Sequence, residues 1–377
     1  MLGNAYLILE NGAVFEGRPF GYDSEAVGKL VFTTKMTGYL ETLSDPAYYG
    51  QIVLQTFPLI GNYGVIPRDF GPGPMHLKAY IVRQWCQEPS NFRSEGNLDS
   101  FLCDHKIPGL YGIDTRSLTR VIRENGSLNA MISGTAELSG EQWAALRGYR
   151  VAGAVAAACA DSNFSPGVYP ELGIRNEELG IEDAEGRMRV ALWDFGDGFR
   201  ASRLLLRHGC VPAVAGHGMT AEGILANSPD GVMLSGGPGD PAENPHIIDE
   251  IRKLCVLCKE RHIPVFAVGL GHQMLALANG AAATRLKFGN RGANVPVLEH
   301  GTGRAFITEQ NHGFTVISDS LPENAAISHS NINDGTCEGI EYAGLPAFSV
   351  QFTPTDSEMR TFTDLISRDT VGNMQNK

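Results

Sequence analysis

The sequence has no run of roughly 18 unbroken apolar residues, the length a membrane-spanning helix needs, so no membrane partner is expected. It has no dense Lys/Arg cluster either, and its formal charge of -12 runs against the basic face that nucleic-acid phosphates require. Its start, "MLGNAYLILENG", lacks the basic residues, long apolar stretch and small-residue cleavage site of a secretory leader, so it reads as folded protein and the cytoplasm is the expected compartment. There is no P-loop pattern. Gly269 and Gly271 match two positions of a dinucleotide loop, but the third glycine and the following acidic residue are out of register. No cofactor is therefore expected on this chain, and any ATP chemistry belongs to a partner.

The seven cysteines are odd in number and scattered, which suits reduced thiols better than a disulfide framework. Cys255 and Cys258 form the one CxxC, and no second CxxC completes a zinc site. They lie in "IIDEIRKLCVLCKERH", where Ile248, Ile251, Leu254, Cys255 and Cys258 recur at helical spacing. Buried helix cysteines are the expected reading, and no metal is expected.

What is present is globular composition, with 43% hydrophobic and 19% charged residues. A length of 377 residues exceeds the roughly 250 to 300 at which one core stops growing, so two domains are expected. The first, 1–152, opens with two apolar runs around Asn11-Gly12, a hairpin signal, and continues in short β runs between Gly, Pro and Asp. One helix stands out at "DTRSLTRVIRENG": Asp114 or Thr115 caps it, Leu118, Val121 and Ile122 share a face, and Asn125-Gly126 ends it. This half reads as α+β. From 153 to 186 no period is sustained, and the domain connection is placed there. The second domain, 187–377, alternates strand and helix as a doubly wound parallel sheet does, so the whole is α/β. In such sheets ligands bind beyond the carboxyl ends of the strands, where the Gly-rich breaks "SGGPGDP" and "GLGHQ" fall.

"PVFAVGLGHQMLALANG" is a strand, a sharp turn and a helix, the unit by which α/β hydrolytic enzymes present a nucleophile. The presented residue here is Gly269, which has no side chain. The stretches "MTGYLETLSDPAYYGQIV", "GIDTRSLTR", "SGGPGDP", "GLGHQMLALA", "QNHGF", "NDGTCEGI" and "FSVQFTP" together resemble the small subunit of carbamoyl phosphate synthetase. The likeness covers nearly the whole chain, and its C-terminal part is similar to class I glutamine amidotransferases in general.

That resemblance implies a Cys-His-Glu triad that hydrolyses glutamine and a large synthetase subunit that receives the ammonia and carries ATP and Mg. Here the three matching positions are Gly269, Thr353 and Thr355, so no catalytic residue is intact. Glycine cannot attack a carbonyl, and a threonine hydroxyl is no base near neutral pH. Losing the nucleophile of such a unit typically costs about 10⁶ in turnover, and further losses add little. His272, His312 and Asp356 lie nearby in sequence, but an acid or base without a nucleophile allows at best attack by water.

By the same resemblance, the backbone N–H groups of Gly237 and Leu270 form an oxyanion hole, and Gly239, Gln273, Asn311, Gly313 and Phe314 hold glutamine or a related amide. Bland roles are open to each: a tight turn at Gly237-Pro238-Gly239, a core ring at Phe314, a loop contact at Asn311. Further departures are Ala47 where the family has a pocket serine, Gly198 where it has a lysine, and Val295 where it has a histidine. Three readings follow: a non-hydrolysing accessory subunit in a heterodimer that uses free ammonia for pyrimidine or arginine synthesis, a hydrolase with an unrecognised nucleophile, or a repurposed binding protein without a synthetase partner.

Overall fold

The computed structural model describes residues 3–71, 74–159, 165–166 and 187–375. They divide into two compact units, Met1–Ala154 with Leu286–Ala293, and Val155–Arg285 with Asn294–Lys377. Of the expected connection, 160–164 and 167–186 lie outside the described residues. Sequence periodicity gives no sign that an eight-residue piece of the long strand Ala283–Glu299 belongs with the first unit.

The first unit is built on a closed barrel in the order Ala5–Leu9, Val14–Gly21, Pro108–Tyr111, Ala79–Val82, Gln51–Gln55, Ala26–Thr33, Asn129–Ser133. The hairpin at Asn11-Gly12 forms, with Gly12 at φ 90° and Ile8 paired to Val14. Alternation along the strands sorts side chains onto two apolar clusters: Ile52, Leu54, Ala79 and Ile81 join one, Val53, Tyr80 and Val82 the other. Because both faces are covered, these strands read as continuous apolar runs. The helix Thr115–Asn125 is capped by Asp114, whose side chain accepts from the Ser117 N–H at 3.0 Å, and it buries Leu118 and Ile122.

The second unit carries a ten-stranded sheet. Its parallel centre runs Cys210–Ala215, Met188–Trp193, Gly231–Leu234, Val265–Val268, Ala347–Val350, and antiparallel strands continue from there. Period two again assigns faces. Ala191 and Trp193 point to a cluster with the helices Pro245–Arg261 and Leu270–Ala278, while Val190 and Leu192 point to one with Gly198–Arg207 and the terminal helix Asp356–Gln375. Helices on both faces of a parallel sheet make this a doubly wound α/β layer. Cys255 and Cys258 are buried in the first of these clusters, and burial pushes their thiols up to about 11 and about 12. Among the described residues no His/Cys/Asp/Glu group suits a metal ion, and no helix is long and apolar enough to cross a membrane.

Candidate functional site

The central strand Val265–Val268 ends at Gly269, which adopts φ 55° and ψ -113° before the helix Leu270–Ala278 begins. That left-handed backbone is costly for any residue with a Cβ and free for glycine. Two hydrogen bonds hold the bend: the Gly269 N–H donates to the Val350 carbonyl at 2.9 Å, and the Gly271 N–H to the Ser235 carbonyl at 3.1 Å. Gly271 lets the helix approach so closely that a Cβ there would lie 2.7 Å from the Ser235 oxygen. The elbow is thus complete as backbone, with an empty front. A Cβ on residue 269 would meet only the Gly236 Cα at 3.4 Å and the Gln351 carbonyl at 4.0 Å.

The loop after Gly231–Leu234 comes to this bend. Gly237 sits so tightly that a Cβ on it would lie 2.1 Å from the Phe195 carbonyl and 3.2 Å from Leu270 Cδ2, which places the 236–237 backbone beside the elbow. Gly239 turns at φ 97°. Upstream, the buried Asp194 carboxylate accepts from the N–H groups of Gly196 at 2.7 Å and Gly198 at 2.8 Å, and burial raises its pKa above the usual carboxylate range. A Cβ at 198, the position where the resemblance has lysine, would lie 2.5 Å from the Asp194 carboxyl carbon, so a side chain there requires that carboxyl to move.

Neither threonine is free to do what a histidine or glutamate does. Thr353 is exposed, and its N–H donates to the Glu309 carbonyl at 2.9 Å. Thr355 caps the terminal helix: its hydroxyl accepts from the Ser357 N–H at 3.2 Å and donates to Glu358 at 2.6 Å, and Glu358 also accepts from the Thr355 N–H at 2.7 Å. Thr355 is thus an N-cap with one half of a capping box, the Glu358 side chain reaching back to the Thr355 N–H, legible in "TDSE" as Thr-x-x-Glu. The family likeness of "FSVQFTP" masks this cap signal in the sequence.

Around the elbow helix runs a ring of hydrogen bonds that periodicity does not reveal. Gln273 Nε2 donates to the Phe314 carbonyl at 2.9 Å and to Gln351 Oε1 at 2.8 Å, so both its amide hydrogens are used. The Phe314 carbonyl also meets His312 Nδ1 at 2.8 Å, and His312 Nε2 meets Gln310 Oε1 at 3.1 Å. Gln310 Nε2 donates to Glu338 at 3.0 Å, and the Gln351 N–H closes the circuit on the Glu338 carbonyl at 2.8 Å. Asn311, Gly313 and Phe314 thus sit on a strand, Arg304–Val316, pinned on both sides. The Arg285 guanidinium lies 5.9 Å over the Phe314 ring.

Two titratable groups in this region are shifted by burial. Glu338 has no exposed surface, and burial pushes its carboxyl up to about 8, while His312 stands 3.8 Å away. His272 is also fully buried; burial first, then the nearby His312, hold its ring down to about 3. Its Nδ1 meets the Ser349 hydroxyl at 2.8 Å and its Nε2 has no partner. His312 has both ring nitrogens committed to oxygens. Of the remaining expected site residues, Ala47 belongs to the first unit, in the short turn Pro46–Tyr48, where its N–H donates to Asp45 at 2.9 Å.

With this geometry in view, the comparisons with known proteins are direct. Residues 7–132 match the family "Carbamoyl-phosphate synthase small chain, CPSase domain", and 191–369 match "Glutamine amidotransferase class-I". The chain is 43% identical over 350 residues to the carbamoyl phosphate synthase small chain of Clostridium perfringens, covering 93% of each. It is 43% identical to that of Bacillus caldolyticus, covering 93% of this chain and 91% of the relative. With the pyrimidine-specific small chain of Bacillus subtilis it shares 44% identity, over 93% of this chain and 90% of that one. The chain belongs to the carbamoyl phosphate synthase small-chain family.

Proposed function

We propose that this chain is a non-hydrolysing small subunit of a carbamoyl phosphate synthase. It docks to a large synthetase subunit, which carries ATP and Mg and makes carbamoyl phosphate from free ammonia. The observation that carries this reading is an elbow whose backbone is intact while its presented residue is Gly269, with Thr353 tied by its backbone and Thr355 serving as a helix cap. The positions that would carry the thiol and the imidazole hold Gly269 and Thr353, so on this reading the covalent route to amide cleavage has neither of its first two requirements.

The backbone donors near Gly237 and Leu270 and the pinned Asn311–Phe314 segment support retention of an amide-shaped site that binds glutamine without cleaving it. The pyrimidine-specific relative supports a place in pyrimidine supply. The test is a glutaminase assay on the purified chain, alone and with its large subunit. Release of glutamate at background rate supports the proposal, and turnover on the scale of kcat values near 10 s⁻¹, roughly the enzyme median, overturns it.

A further inference from the structure

Thr308, Gln310 and His312 alternate along the strand Arg304–Val316, so their side chains share one face, and none of the three is more than 8% exposed. A buried row of polar side chains must satisfy itself, and here each hydrogen can be placed in turn. The Thr308 hydroxyl has one hydrogen and donates it to the Val295 carbonyl at 2.9 Å. It therefore only accepts from Gln310, 3.1 Å away, which turns the Gln310 amide nitrogen toward Thr308 and Glu338 and its oxygen toward His312. His312 then faces two atoms that can only accept: the Phe314 carbonyl, 2.8 Å from Nδ1, and Gln310 Oε1, 3.1 Å from Nε2. Both ring nitrogens must carry hydrogen.

The bonds continue to the surface. Thr336 also has one hydroxyl hydrogen, and Asp334 at 2.7 Å takes it ahead of Glu338 at 3.1 Å, so Glu338 Oε1 donates to Thr336 as a neutral acid, the form its burial favours. From His312 through Gln310, Glu338 and Thr336 every bond then points one way, ending on the exposed carboxylate of Asp334. The other groups facing the ring fit a cation at the start of this chain. Glu338 stands 3.8 Å from Nε2, and His272, on the elbow helix, is held neutral by burial and then by His312, while Arg285 lies over the Phe314 ring. We infer that His312 is held as an imidazolium and is a positioning residue of the amide site, tying Gln310 to the Phe314 carbonyl that also fixes Gln273. Loss of either ring hydrogen would set an acceptor against a bare nitrogen and release the Asn311–Phe314 segment at that point. The inference rests on the reading of a retained amide site, but the state of the ring can be measured without any ligand.

The test is the ¹H–¹⁵N correlation spectrum of the histidine rings in the full chain, with His312 assigned from a His312→Gln sample. At pH 7.5 an ordinary histidine is only about one-tenth protonated, whereas His312 should show hydrogen on both ring nitrogens. Thr308→Val removes the hydroxyl that orients Gln310, so the amide can turn, donate to Nε2 and let the ring become neutral. Its doubly protonated fraction at pH 7.5 should fall roughly fivefold or more, and Thr308→Ser should restore it. Glutamine titrated by calorimetry should bind Thr308→Val roughly tenfold more weakly than the parent, with recovery in Thr308→Ser. A bare ring nitrogen on His312 in the parent at pH 7.5, or a ring unchanged by Thr308→Val, would overturn the inference. Failure of glutamine to bind the parent would instead overturn the amide-site reading, while the ring spectra still decide the state of His312.

Discussion

The Thr355 hydroxyl donates to the Glu358 carboxylate at 2.6 Å, one turn into the terminal helix. The position that the family resemblance assigns to an orienting acid is here a helix cap, with its hydroxyl engaged at the first turn.

Thr355→Ala removes the cap and should cost about 1 kcal/mol of stability, read by chemical denaturation. Glu358→Ala should cost a similar amount, and the double variant less than the sum, because both changes break one hydrogen-bonded pair. Strict additivity would show that the two side chains act separately.

Gly269→Cys has room for its Cβ, the nearest atom being the Gly236 Cα at 3.4 Å, but it must adopt φ 55° and ψ -113°. We expect a loss of about 1 to 3 kcal/mol in stability and no glutamine hydrolysis, since Thr353 supplies no base. Denaturation and a glutamate-release assay on this one variant read both. Appreciable turnover would mean that another residue moves the proton.

Gly237→Ala should be far worse than an ordinary loop substitution. Its methyl would lie 2.1 Å from the Phe195 carbonyl, a backbone atom that cannot swing aside. A loss of roughly 3 kcal/mol, as for severe overpacking, is expected in thermal or urea unfolding.

Glu338 and His272 make opposite pH-dependent contributions. The Glu338 carboxyl titrates near 8 in the fold against 4.5 unfolded, so between those values the unfolded chain releases a proton the folded one keeps. Stability from this group is full below about pH 4.5 and is lost as pH rises toward 8. His272, near 3 in the fold against 6.5 unfolded, stabilises above pH 6.5 and loses that contribution as pH falls toward 3. Glu338→Gln keeps the shape and removes the titration, at about 1.4 kcal/mol per pH unit of difference. The variant should therefore gain on the parent between pH 5 and pH 8 in denaturation series; parallel curves would show that Glu338 is ionised in the fold.

Much of this was legible before any coordinates. Strand and helix in the second half follow from period two and from spacing of three and four, because both faces of its sheet are covered by helices whose apolar stripes face inward. The elbow was readable from Gly269-Leu270-Gly271 between two apolar runs, and the Asp114 cap from its place before Leu118. The Gln273–Gln351–Glu338–Gln310–His312 ring was not, since it joins residues up to 78 apart through hydrogen bonds that leave no local period. Nor was the membership of 286–293 in the first unit, because a strand keeps its alternation whichever unit it serves.

The most direct test of the account supplies the chain, reconstituted with its large subunit and ATP-Mg, with amide-¹⁵N glutamine or with ¹⁵N-ammonium as the only nitrogen source, and follows label into carbamoyl phosphate. Label should pass from ammonium and not from glutamine. Transfer from the glutamine amide at a rate comparable to that from ammonium would contradict the claim that Gly269, Thr353 and Thr355 leave this subunit without an amidase.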